Sequence, residues 1–195
     1  MNVGRSTIRE AVRILASRNI LDVRRGAGTF VANNTGINDD PLGLSFIKDK
    51  YKLAKDLHQI RSILEPEIAA MAANMATEKD IELIVKRCDK VENLIKNGED
   101  HMLDDVKFHE AIARCSQNDV IEKIIPIINT SVVVFANVAG ERMNDEIIHF
   151  HRVISNAIKL HNVLEAKQAM TMHMLHIKYV IDDILSERDK DGIGK

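Results

Sequence analysis

The sequence predicts a mainly α-helical protein, with one helix and a β-hairpin at its N-terminus followed by an antiparallel bundle of helices. Three observations predict it. The first 31 residues join a helical apolar stripe to two β-prone runs around a glycine-rich turn. Beyond residue 40, apolar stripes of helical period recur with only short joints between them. Aromatic residues make up 4% of the chain, Trp is absent, and Gly and Pro are sparse beyond the hairpin, which favours helices over strands. At 195 residues there is room for one sizeable core and a small appendage.

The first element is Gly4-Arg5-Ser6-Thr7-Ile8-Arg9-Glu10-Ala11-Val12-Arg13-Ile14-Leu15, where Ile8, Val12 and Leu15 form one stripe. Arg5, Thr7, Arg9 and Arg13 lie at its start and off that stripe, where a helix entering a major groove needs donors. Leu21–Val31 follows as a hairpin whose basic tip, Arg24-Arg25, suits phosphate contact. A recognition helix followed by a basic wing is the second half of a winged helix-turn-helix. The DNA-contacting set expected from these two pieces is Arg5, Ser6, Thr7, Arg9, Arg24, Arg25 and Gly28. The opening helices of such a motif do not precede Met1, so Ile8, Val12, Leu15, Leu21 and Phe30 are expected to lack apolar cover.

Charge supports a nucleic-acid face. Residues 1–32 carry six Arg against Glu10 and Asp22, a balance of +4, while the remaining 21 basic and 27 acidic residues give −6. A basic head on an acidic body fits one phosphate-facing end. The plain alternative is a solvated basic face. Cys88 and Cys115 stand apart without a CxxC pattern, and no apolar run reaches transmembrane length. The expected compartment is the cytoplasm, with no membrane partner.

Residues 33–40 are polar and breaker-rich and read as a linker. A short helix over about 41–49 is expected next, opened by Asp40 and Pro41. Helices over about 53–75, 78–97, 101–116, 119–139, 143–160 and 162–187 follow, with Thr77 and Asn118 as N-caps and Gly98 and Gly140 as stops. Pro66 and Pro126 should kink or break their helices. The expected organisation is a partial DNA-binding domain over 1–32, the linker 33–40, a helical domain over 41–187, and a charged tail 188–195. The end from Ser186 onward is expected to fray.

The helical body places polar groups on apolar stripes. Asp105 and His109 share a face that Ile112 continues. His151 lies with Ile147, Ile154 and Ile158, whereas His149 is rotated about 200° away and should face water. His173 lies on the stripe Ala166, Met170, Ile177, Val180 and Ile184. Burying four such groups unpartnered costs roughly 1–3 kcal/mol each. Hydrogen bonds or a metal ion would remedy this. An Asp with three imidazoles suits Zn, Ni, Mn or Fe(II), with positions left open for water or a chelating anion. Satisfied core histidines are the alternative.

The runs VGRSTIREAVRIL and NILDVRRGAGTFVA resemble the winged-helix signature of GntR-family bacterial transcription regulators. Two further helices precede this point in that family, so the numbered chain is expected to reflect an internal start or a truncation of a longer regulator. Residues 57–176 resemble the FCD effector domain of its FadR-type subfamily, through LHQIRSILEPEIAAMAA, DDVKFHEAIARCSQN, HRVISNAI and AMTMHML. Many members hold a divalent metal with one Asp and three His, and those positions fall on Asp105, His109, His151 and His173. The resemblance implies a homodimer that binds operator DNA, usually as a repressor, and answers to a small carboxylate effector.

Two weaker ligand-binding candidates are Arg61, at the edge of the stripe Leu57, Ile60, Leu64 and Ile68, and Asn118. Arg61 could reach a ligand carboxylate, or simply form an exposed pair with Glu65. Asn118 could touch a ligand, or simply cap its helix. Two other classes compete with the regulator. A metalloenzyme is disfavoured because Glu146–His149 is a lone Glu-x-x-His and no HExxH is present. A helical effector module that does not bind DNA is the other.

Overall fold

The computed structural model describes residues 3–18, 20–32, 42–139 and 144–190. The chain divides into two compact units, Met1–Lys48 and Asp49–Lys195.

In the first unit, α1 (Arg5–Ser17) runs into the strands β1 (Leu21–Arg24) and β2 (Gly28–Val31). The strands pair antiparallel, with Leu21 opposite Val31 and Arg24 opposite Gly28. Gly26 takes φ 76° and Gly28 φ 122°, both left-handed values that a side chain would strain. The Ala27 N–H closes the turn onto the Arg24 carbonyl at 3.0 Å. Helix α1 buries no residue, and Ile8 and Phe30 are exposed.

The helix expected over 41–49 is not formed. Gly43 adopts a left-handed φ of 67° and is followed by a single 3₁₀ turn, Leu44–Phe46. Asp49 is the N-cap instead, accepting from the backbone N–H groups of Tyr51 and Lys52 at 3.1 and 3.0 Å. Helix α2 (Lys50–Met75) therefore starts about one turn earlier than its apolar pattern suggests. Asp40, Pro41, the linker 33–40 and Gly140 lie outside the described residues.

The second unit continues with α3 (Glu78–Lys96), α4 (Met102–Cys115), α5 (Asp119–Ala139), α6 (Asn144–Lys159) and α7 (Val163–Lys190). Thr77 caps α3 through a capping box with Asp80. Gly98, at φ 69°, ends α3, and the Glu99 N–H reaches the Leu94 carbonyl at 2.9 Å. Helices α2 and α5 run unbroken through Pro66 and Pro126. Helix α7 extends to Lys190, so residues from Ser186 do not fray at once; the Ser186 hydroxyl bonds the Asp183 carbonyl.

Helix α2 is central and packs against α4, α5, α6 and α7. Its fully buried Ala69, Ala72 and Ala73 allow close approach of the neighbours. Phe108, Ile112, Ile154, Ile158, Met170 and Met174 fill the core around it. The buried stripe of α2 is not the expected one. Ile60 and Leu64 lie outside, while Leu57, Arg61, Glu65 and Ile68 lie inside. The inward face can carry Arg61 and Glu65 because the two opposite charges pair with each other.

Candidate metal centre and nucleic-acid interface

Three helices bring the inward histidines together. Helix α4 supplies Asp105 and His109, α6 supplies His151, and α7 supplies His173; all four are buried. One nitrogen from each imidazole falls within 4.8 Å of the others. An ion bonded at about 2.0–2.1 Å to each would hold those nitrogens roughly 3–3.4 Å apart, so small ring movements close the set. The Asp105 carboxylate stands 3.3 Å from His151 Nε2 and 3.9 Å from His109 Nε2. The rings of His109 and His173 stack at 5.4 Å, and Phe108 stacks on His151 at 4.1 Å.

The hydrogen-bond inventory of the cluster is incomplete. His109 Nε2, His173 Nε2 and both ring nitrogens of His151 are buried without a hydrogen-bond partner. Such groups normally find one, because an unpaired buried polar atom costs about 1–3 kcal/mol. Burial first, and then the neighbouring imidazoles, push His151 and His173 well below the ordinary histidine range. Both are neutral near pH 7 and keep a ring lone pair. Converging imidazole nitrogens without hydrogen-bond partners, beside a carboxylate, are the donor set a divalent ion takes, so the residues present fit a metal.

Glu65 was missing from the sequence-derived set. It is buried on α2, accepts from Arg61 Nε at 2.5 Å, and is hydrogen-bonded to His109 Nδ1. Burial alone would raise its carboxyl, but Arg61 and His109 outweigh that and hold it well below the usual range. The signal was available in the spacing, since Leu57, Arg61, Glu65 and Ile68 form a helical stripe of their own. Arg61 is therefore not in an exposed pair: it is 3% exposed, and its Nη2 has no hydrogen-bond partner. Asn129 on α5 is also fully buried with neither amide atom partnered.

The remaining candidates lie elsewhere. Asn118 is exposed and caps α5, accepting from the Val120 and Ile121 N–H groups at 3.0 and 3.2 Å. Nothing described brings it to the histidine cluster. His149 is exposed, as its position on α6 predicts. A cleft of about 250 Å³ lined by Arg87, Lys107, Glu110 and Arg114 opens on a different face of α4 from His109.

In the N-terminal unit, Arg5, Ser6, Thr7 and Arg9 are exposed along the first turns of α1. Arg24, Arg25 and Gly28 are exposed on the hairpin. Arg24 lies over the Phe30 ring at 5.1 Å and pairs with Asp22 at 2.9 Å, so Arg25 is the freer of the two basic tip residues.

Comparison with known proteins decides the family. Residues 1–31 match the gntR family of bacterial regulatory proteins, and residues 56–176 match the FCD domain. The chain belongs to the GntR family and carries an FCD effector domain. A solved Streptococcus agalactiae GntR protein is similar at 40% identity and a TM-score of 0.83, over 91% of this chain and 83% of that one. The Uxu operon regulator of Haemophilus influenzae is 27% identical over 96% of this chain and 71% of its own length. The galactonate operon transcriptional repressor of Escherichia coli is 27% identical over 85% of this chain and 76% of its own.

This GntR-family chain is accordingly a transcription regulator and not an enzyme. Among its described residues, no helix is long and apolar enough to cross a membrane.

The FCD domain carries a third neutral buried imidazole. His58 is hydrogen-bonded to the Met174 carbonyl at 3.0 Å, and burial, then Arg61, pushes it down to about 4. In the unfolded chain these histidines protonate near pH 6.5, whereas in the folded chain they do not. Their contribution is full above that value and is lost as pH falls toward the folded value. His58 alone should lower the stability of metal-free protein by on the order of 2 kcal/mol between about pH 7.5 and about pH 5. Urea melts at the two pH values test this, and equal midpoints with equal slopes would refute it.

Proposed function

We propose that this regulator is a metabolite-responsive repressor whose FCD domain binds a divalent metal through Asp105, His109, His151 and His173. The observation that carries this is the convergence of buried, unpartnered imidazole nitrogens beside a buried carboxylate. A bound ion, of the Zn, Ni, Mn or Fe class, supplies open coordination positions for a chelating carboxylate. Arg61 would meet the charge of that effector, a role supported by its unpaired, buried Nη2. The name of the galactonate relative supports both repression and a sugar acid as the effector class.

DNA contact falls to Arg5, Ser6, Thr7 and Arg9 at the start of α1, with Arg24, Arg25 and Gly28 on the wing. The regulator acts as a homodimer on a two-fold operator, and the effector shifts it between DNA-competent and incompetent states. The test is fluorescence anisotropy of the regulator on an operator selected from random DNA. Zinc with a sugar acid is expected to weaken operator binding, and neither alone to do so. Arg9→Ala is expected to cost about 1–3 kcal/mol of operator affinity. Release by the acid without metal would remove the metal from the mechanism, and unchanged binding by Arg9→Ala would remove that residue from the reading set.

A further inference from the structure

We infer that Glu65 is the positioning residue of the proposed metal centre, fixing His109 so that its Nε2 is presented to the ion. This rests on the metal reading above. The argument begins with hydrogen-bond chemistry. An ionised carboxylate only accepts, so the His109 Nδ1 facing Glu65 must carry the proton. A histidine binds a metal ion as the neutral imidazole, so with its N–H on Nδ1 the lone pair offered to the ion is that of Nε2. That Nε2 is buried, has no hydrogen-bond partner, and stands 3.9 Å from the Asp105 carboxylate.

The carboxylate is itself held. Arg61 donates to the other oxygen of Glu65 at 2.5 Å, and both side chains are 3% exposed. Rotation of Glu65 away from His109 would break two charge-assisted bonds between buried groups. Neither His151 nitrogen has a hydrogen-bond partner, so that ring has no comparable tautomer lock. His109 is thus a pre-oriented ligand, set by a residue on α2 that sits 44 positions earlier in the chain. Carboxylate support of this kind raises ligand basicity and fixes ring orientation.

The test compares the wild-type chain, Glu65→Gln, and the control Glu67→Gln, whose carboxylate is exposed on the same helix and pairs with Lys167. Zinc affinity is read by chelator competition and the coordination sphere by the visible spectrum of the Co(II) form. Glu65→Gln is expected to weaken zinc binding about 10–100-fold and to alter the Co(II) bands, with Glu67→Gln unchanged in both. In metal-free wild type, long-range ¹H–¹⁵N NMR should show the His109 proton on Nδ1, a reading that requires no substitution to fold.

Wild-type zinc affinity and an unaltered Co(II) spectrum in Glu65→Gln would overturn the inference alone. A proton found on His109 Nε2 would do the same. A wild-type chain that takes up no zinc would overturn the metal reading and this inference together.

Discussion

Replacing His151 by alanine is expected to raise the dissociation constant for zinc by more than about 100-fold, beyond what the loss of an outer-shell partner costs. His151 is 1% exposed, faces the Asp105 carboxylate, and has both ring nitrogens free of hydrogen bonds. Its removal takes one imidazole from a set of three and leaves Asp105 facing a void. His149, two residues away on the exposed side of α6, serves as the control, and its alanine variant should bind zinc as the wild type does. Chelator competition reads both. Equal loss in the two variants would mean that α6 does not direct His151 at the ion.

The second large effect concerns stability. Phe108→Ala is expected to cost about 3–5 kcal/mol, the range for an aromatic side chain removed from a close-packed core. Phe108 is fully buried, stacks on His151 at 4.1 Å and meets His109 edge-on at 5.5 Å. The cavity left by the ring would also release His151 from its orientation, so metal affinity should fall together with the urea midpoint. Phe108→Leu retains most of the volume and should cost less than Phe108→Ala. A loss below about 1 kcal/mol in Phe108→Ala would show that the site collapses freely around the gap.

Much of this architecture was legible in the sequence because it is periodic. The stripes through Asp105–His109–Ile112, Ile147–His151–Ile154 and Met170–His173 each place an imidazole on the buried side, and the structure buries all three. The hairpin was legible from its glycines. The face of α2 was not. Ile60 and Leu64 suggest an inward stripe with Leu57 and Ile68, yet those two are exposed, and Arg61 and Glu65 are inside. Helical period ranks residues by hydrophobicity, but a charge becomes buriable when its partner arrives from another helix. His109 is that partner for Glu65: the stripe Leu57, Arg61, Glu65 and Ile68 was present in the spacing, but the contact with α4 is what selects it over the apolar one.

The same limit explains the other departures. Gly43 in a left-handed conformation is followed by a single turn, and Asp49 then caps α2 about one turn before the start its apolar pattern suggests. Arg61 could be read either as a surface pair or as a ligand contact. Its burial beside Glu65 removes the first reading and leaves a guanidinium nitrogen unpaired in the interior.

The central claim is that the imidazole cluster of the FCD domain is a metal site, and elemental analysis tests it most directly. The wild-type chain, purified without chelators or nickel columns, should hold about one divalent ion per chain, the stoichiometry of a single ligand set. No bound metal after equilibration with zinc, nickel, manganese and iron(II) would contradict the account.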